Sequence, residues 1–251
     1  MRRLSLLTIP LVLVATACLD ESPTELEPQL SRAAAATGET GAATYRVTFQ
    51  NLTEGQPLTP PVAVTHRQSI SLFQVGAPAS FGVKEIAENG NLPPLLEALE
   101  MAKHAADVVV TLGNTGVPPV VPGETIEFEI SSERGAKYFS FVSMLICTND
   151  GFAGTDSERL PGSVGESTMI YANAYDAGTE INSEDFADIV PPCQGLVGVG
   201  SDDAGTGMSD PDLAENGVVH PHPGIQGGDD LDPAIHGWTD PVAMITIERI
   251  G

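Results

Sequence analysis

Alternating apolar and polar residues mark both ends of the region from 44 to 251. Residues 45–50 alternate in this way, residues 126–130 repeat the pattern after a Pro122-Gly123 turn, and residues 244–248 close the chain with it. Such alternation is typical of strands with one buried face. The longer apolar run at 138–146 predicts a central strand covered on both faces. We therefore predict an all-β-dominated fold, an antiparallel β-sandwich that contains both the first and the last strand.

A short helical insertion interrupts the strand pattern. The pair Pro93-Pro94, followed by leucines at 95, 96 and 99, predicts a helix that begins at the prolines. A second, shorter helix is predicted at 79–88, ended by Asn89-Gly90. We expect these helices to cap one end of the sandwich.

The N-terminus has the features of an export signal. Arg2 and Arg3 precede an apolar run at 4–17 that is shorter than the roughly 20 residues of a membrane-spanning helix. The run ends at Ala15-Thr16-Ala17-Cys18, which resembles a bacterial lipobox with Ala15 in place of the usual leucine. This predicts a signal peptide at 1–17 and a lipidated Cys18. Ordinary cleavage after Ala17 is the alternative.

The remaining sequence divides into a tether and one domain. Residues 18–43 are polar and low in aromatic side chains, which predicts a disordered lipidated tether. Residues 44–251 form the predicted β-sandwich domain. Within it, 195–232 is rich in Gly, Asp, Pro and Ser and predicts a long functional or mobile loop.

The charge is strongly negative and uneven. Removal of 1–17 takes the formal net charge from −23 to −25, which argues against long-range attraction to nucleic acid or anionic lipid. Between 149 and 240 there are 18 acidic residues and one base, Arg159. Such acid keeps an exported protein soluble, and it also suits Ca²⁺, which takes about six to eight oxygen ligands.

The three cysteines of the sequence allow one disulfide. If Cys18 carries lipid, Cys147 and Cys193 are free to form a disulfide in an oxidising compartment. Two buried free thiols are the alternative.

Two acidic segments are candidates for metal binding. The first, 144–156, is a buried strand that enters a loop carrying Asp150, and the second, 175–180, places Asp176 and Glu180 on either side of Gly178. Three carboxylates from two loops, with carbonyls and water, suit a Ca²⁺ site. The spacing does not match a helical Ca²⁺-binding loop.

The same segments resemble the spondin N-terminal domain family, known from F-spondin and from bacterial exported proteins. Residues 144–156 resemble its strand-to-loop motif, residues 176–180 its Asp-Ala-Gly-Thr-Asp/Glu motif, and residues 51–61 and 236–243 its opening and closing segments. The resemblance implies a β-sandwich with one Ca²⁺ at the loops of one end, held by Asp150, Asp176 and Glu180. Asn149 is a further candidate oxygen donor.

This sequence departs from the family pattern at three positions. Gly151 replaces the motif Trp, Cys147 replaces the motif Pro, and Glu180 stands where animal members have Asp. Loss of the Trp weakens any inference about animal-type matrix or membrane recognition.

Other chemistry has less support. His220, His222 and His236 are an alternative transition-metal site, although no spacing fixes the third ligand. There is no Gly-x-Ser-x-Gly nucleophile motif, and a carboxylate-based hydrolase would usually offer more aromatic side chains than one Trp and four Tyr. No catalytic residue is predicted.

The predicted function is a non-enzymatic, surface-tethered, calcium-binding adhesion or recognition module with an extracellular protein or polysaccharide as its ligand. Its predicted location is the outer membrane or cell surface, and otherwise the periplasm or medium. An exported small-ligand-binding protein without calcium dependence is the alternative.

Overall fold

The computed structural model describes residues 42–113 and 119–251. The predicted signal peptide, Cys18 and nearly all of the tether lie outside these residues. No helix within the described ranges is long and apolar enough to cross a membrane.

Antiparallel strands dominate the described residues. The strands are β1 Ala43–Asn51, β2 Val62–His66, β3 Ala105–Val110, β4 Thr125–Ser132, β5 Tyr138–Met144, β6 Gly151–Arg159, β7 Ser167–Asp176, β8 His220–Pro221 and β9 Ala243–Arg249. The α-helices are α1 Phe81–Asn89, α2 Pro93–Met101, α3 Pro192–Val197 and α4 Pro233–His236. Short 3-10 turns lie at Phe186–Asp188 and Pro211–Leu213.

The strands follow the hydrogen-bonded order β3-β2-β5-β6-β7-β9-β1-β4. Strand β7 belongs to both layers, since residues 173–176 pair with β6 and residues 167–172 pair with β9. The outer strands also meet, because Ser131 donates its N–H to Asp107 Oδ2 at 2.7 Å and accepts from Thr65 Oγ1 at 2.6 Å. The fold is therefore a sandwich that is nearly closed into a barrel, and the predicted fold class is confirmed.

The first and last strands lie in one sandwich, as predicted, and they also pair with each other. Strands β1 and β9 are antiparallel, with Val47 opposite Ile247. Along β1, buried side chains alternate with half-buried ones, as the sequence pattern predicts. The buried face packs into the core between the layers, where the rings of Phe49 and Phe141 meet edge to face at 5.3 Å.

Strand β5 is covered on both faces. Phe139 and Phe141 point into the core between the sheets, and Val142 and Met144 pack into a second apolar cluster. Helix α1 contributes Val83 to that cluster, and α2 also packs into it. This double burial explains why the sequence of β5 lacks a polar face.

Local sequence sets the bounds of the two predicted helices. The hydroxyl of Ser80 caps α1 by accepting from the N–H of Val83, and Gly90 ends the helix in the left-handed conformation at φ 62°. Pro93 and Pro94 occupy the first positions of α2, where their missing N–H groups cost nothing.

Candidate cation site

A tight turn joins β5 to β6 and delivers Asp150 to the site. The hydroxyl of Thr148 donates to the carbonyl of Leu145 at 2.6 Å and accepts from the N–H of Gly151 at 2.9 Å. A Cβ at position 151 would lie only 2.5 Å from that hydroxyl oxygen, so this turn requires glycine where the family motif has Trp. The sequence predicted that the strand enters a loop within 144–156, whereas the loop is short and β6 begins at Gly151.

The two carboxylate oxygens of Asp150 have different surroundings. Oδ2 accepts from the N–H of Thr179 at 2.7 Å, from its hydroxyl at 3.1 Å and from the N–H of Glu180 at 3.1 Å. Oδ1 is buried and has no hydrogen-bond partner among the described residues. Burial, and after it the nearby charge of Asp176, together raise the pKa of Asp150 from 3.8 to about 7. An unpartnered buried carboxylate oxygen is costly unless a cation accompanies it.

Asp176 ends β7 beside Asp150, and its side chain is fully buried. Oδ1 accepts from the N–H of Gly178 at 2.7 Å, and Oδ2 accepts from Nδ2 of Asn182 at 2.7 Å. Gly178 has φ 67°, and a Cβ there would lie 2.5 Å from the carbonyl oxygen of Val218. Glycine is therefore required both for the turn and for the approach of the segment around residue 218.

That segment brings two further ligand-type side chains to Asp176. In the register of β7 and β8, His220 lies opposite Asp176, and its Nε2 is 3.5 Å from Asp176 Oδ1. Asp176, Glu215 and His220 offer ligand atoms that all lie within 4.8 Å of one another. The backbone hydrogen bond to Pro221 raises the pKa of His220, against the effect of burial. No motif or spacing in the sequence groups Glu215 with this site.

The carboxylate of Glu180 lies toward α1. Its Oε1 accepts from the N–H of Asp210 at 3.0 Å, and neither Glu180 nor Asp150 belongs to the described cluster around Asp176. Burial raises the pKa of Glu180 from 4.5 to about 7, and Glu88 raises it more than Asp150 does, while Lys84 lowers it. The main chain of Glu180 contributes directly to the site through its N–H bond to Asp150.

Asn149 has a structural role in this geometry. Its Oδ1 accepts from the N–H of Glu184 at 3.3 Å, and its Nδ2 donates to the hydroxyl of Ser183 at 3.1 Å. Both ends of the amide therefore hold the loop that follows Glu180.

A disulfide and a buried glutamine hold the base of the turn. Cys147 is bonded to Cys193 in α3, with Cα atoms 5.1 Å apart. Gln56 accepts from the N–H of Cys147 at 3.0 Å and donates to the carbonyls of Cys147 at 3.2 Å and His236 at 2.6 Å. The sequence indicated the disulfide but not Gln56, since a single glutamine has no pattern that predicts such a role.

The three histidines of the alternative site separate. His220 lies at Asp176, His222 packs edge to face on Trp238 at 5.0 Å, and His236 packs on Phe186 at 5.8 Å. Burial lowers the pKa of His222 to about 4 and also lowers the pKa of His236. No cluster of three histidine ligand atoms occurs in the part of the chain that the structure describes.

The Spondin_N family model matches residues 43–185, more than half of the chain. Together with the strand-dominated sandwich, this match shows that the chain belongs to the spondin N-terminal domain family. Domains of this family are extracellular recognition modules of a non-enzymatic kind. No curated protein matches the chain. Asp150, Asp176 and Glu180 lie inside the matched region, whereas Glu215 and His220 lie beyond it.

Proposed function

We propose that this protein is a calcium-binding adhesion or recognition module, tethered to the cell envelope through Cys18. The observation that supports a bound cation is the environment of Asp150 Oδ1. This oxygen is buried, accepts no hydrogen bond among the described residues and lies beside the buried carboxylate of Asp176. A divalent cation would neutralise both groups and replace the missing hydrogen bond.

The donor set fits Ca²⁺. Asp150 and Asp176 supply carboxylate oxygens, which a hard cation prefers, and Glu215 offers another from an exposed position. Glu180 holds Asp150 through its main chain and adds a carboxylate nearby. When bound, the ion would supply positive charge that fixes the turn after β5 and the segment of Glu215 and His220 around one point.

The burial of these acids favours a cation over a substrate. The side chains of Asp150 and Asp176 are 0% exposed, so a sugar or peptide bond cannot reach either carboxylate without movement of the surrounding loops. Glycosidase carboxylates must flank the scissile bond directly. We therefore favour the recognition module over the hydrolase.

Thermal unfolding in EDTA and in excess Ca²⁺ tests the site. We expect Ca²⁺ to raise the melting temperature, because ligand at about 100 times its Kd stabilises a protein by about 2.7 kcal/mol. Asp150→Asn and Asp176→Ala should lose this response, and the matched exposed variant Asp229→Asn should keep it. The same melting curve in EDTA and Ca²⁺ would refute the proposal. A response to Zn²⁺ but not to Ca²⁺ would refute the identity of the ion.

A further inference from the structure

A cleft lies at the opposite end of the sandwich from Asp150. It has a volume of about 720 Å³ and is lined by the start of β1, the turn between β4 and β5, the end of β6 and the end of β9. Strands β5, β6 and β7 each run between the two ends. From Thr168 in the cleft to Asp176, β7 extends about 26 Å at ~3.3 Å per residue. The cleft is therefore separate from the cation site.

The cleft concentrates the positive charge of an acidic protein. Of the eight lysines and arginines in the described residues, four line it: Arg134, Lys137, Arg159 and Arg249. The whole chain has 11 basic residues against 34 acidic ones. Three glutamates also line the cleft, so four bases and three acids give its lining a formal charge of +1 within a strongly acidic protein, which favours an anionic ligand.

The acidic residues of the cleft already have partners. Glu133 pairs with Arg67 at 3.1 Å, and Glu158 accepts from the hydroxyl of Thr155 at 3.0 Å. Glu166 accepts from two backbone N–H groups at 2.9 Å each. The charge of Glu133 is therefore balanced within the fold, and the carboxylates of Glu158 and Glu166 are held by neutral donors.

Three of the basic side chains, in contrast, are available to contact a ligand. Arg134, Lys137 and Arg159 are exposed and form no ion pair with any described residue. Arg249 is held in place, because its Nε donates to the carbonyl of Gly251 at 3.0 Å and its Nη1 donates to the carbonyl of Gly162. One positioned guanidinium and three free cations make a receptor for several anionic groups.

We propose that this cleft binds an anionic saccharide, a sugar chain that carries carboxylate or sulfate groups. Its concave shape suits a few sugar rings, since ligand clefts commonly measure about 300–1,000 Å³. Ser132 and Thr168 add hydroxyl groups to the lining, which suit sugar hydroxyls. A flat anionic membrane does not enter a cleft, and it would repel the acidic remainder of the chain.

Binding of defined hexasaccharides by the full chain tests this proposal. The probes are a hexamer of galacturonate, sulfated maltohexaose, neutral maltohexaose and a hexaglutamate peptide, each titrated calorimetrically in EDTA and in Ca²⁺. Wild type should bind at least one anionic sugar and should bind neutral maltohexaose and the peptide at least about tenfold more weakly. The carboxylated and sulfated probes identify which anion the cleft prefers.

Paired variants locate the binding. Arg159→Gln should weaken binding about tenfold, as expected from loss of one charge-assisted hydrogen bond. Lys103→Gln removes the same charge from an exposed position outside the cleft and should change affinity less than about twofold. Failure of both anionic sugars to bind, equal binding of maltohexaose or hexaglutamate, or equal effects of the two variants would each overturn the proposal. Sugar binding that persists in EDTA separates this cleft from the cation site.

Discussion

At the scale of single residues, the stability of the folded site depends on the hydrogen bonds and charges around the two carboxylate oxygens of Asp150. One oxygen accepts three hydrogen bonds, and the other is buried without a partner in the described part of the chain. Asn at this position can keep the first set of contacts and carries no charge to repel Asp176. Removal of the charge should therefore stabilise the metal-free protein, even though it abolishes the response to Ca²⁺.

The pH dependence of the free energy of unfolding in EDTA measures how much the buried charge of Asp150 destabilises the metal-free protein. The folded pKa of Asp150, raised to about 7, exceeds its ordinary value of 3.8, so its contribution to stability is present at low pH and is lost as pH rises from about 4 to 7. Glu180 has the same sign. His222 has the opposite sign, because its lowered pKa of about 4 makes protonation destabilising as pH falls below 6.5.

Asp150 and Glu180 change the stability with pH in the opposite direction to His222, so the difference in stability between a variant and wild type is more informative than the stability of wild type alone. The stability of Asp150→Asn minus that of wild type should grow from pH 5 to pH 7.5, measured by urea unfolding in EDTA. A difference that stays constant over this range would contradict the raised pKa of Asp150. Asp229→Asn, at an exposed position, should show no such slope.

The sequence indicated Asp150 and Asp176 through short motifs, but it did not indicate their partners. Glu215 and His220 reach Asp176 because β8 pairs with the end of β7, a long-range contact that no local spacing encodes. Glu180 was indicated by its spacing from Asp176. In the structure its N–H donates to Asp150, and its Oε1 accepts from the N–H of Asp210.

At the scale of elements, the connection from β5 to β6 joins the site to the rest of the fold. The Cys147–Cys193 disulfide links this turn to α3 across 46 residues. Both cysteines are fully buried, and Gln56 fixes the main chain of Cys147. The disulfide therefore joins the two ends of the segment that contains β6, β7 and the loop after Asp176.

Replacement of both cysteines by serine should lower the free energy of unfolding by about 3–4 kcal/mol, on the chain-entropy model for a loop of this length. Denaturant unfolding with and without reductant measures the change. Reductant should destabilise wild type and leave the double variant unaffected. Equal stability of wild type and double variant would show that the bond adds nothing.

Strand prediction succeeded for the alternating strands β1, β4 and β9 and for the long apolar run of β5, and it missed β2, β6 and β7. The alternation of β1, β4 and β9 is visible in the sequence, whereas Val62–His66 is buried throughout and gives no such signal. The glycines of β6 suggested a loop, so the sequence did not predict this strand. At Gly154 a Cβ would lie 2.8 Å from the ring of Phe73, so the glycine makes room for an aromatic contact and is not a loop signal.

At the scale of the whole molecule, the charge is polarised along the strands. The acidic loops gather at the end of Asp150 and Asp176, and three unpaired bases gather where β1 begins. The two ends of the sandwich therefore differ in the sign of the charge that they present.

Mass spectrometry of the membrane fraction tests the anchor. The mature chain should begin at Cys18 and carry a diacylglyceryl mass, and Cys18→Ser should lose that mass and appear in the soluble fraction. An unmodified Cys18 at the N-terminus would contradict lipidation.

The pairing of β1 with β9 also determines when the domain can fold. Tyr45 lies opposite Arg249, and β9 is the strand that joins β1 and β4 to the rest of the sheet. Contacts this distant in sequence slow folding, because the intervening chain must be ordered before they form. A nascent chain that has not yet released β9 cannot complete its sheet. The topology thus delays completion of the sheet until β9 is available to pair with β1 and β7.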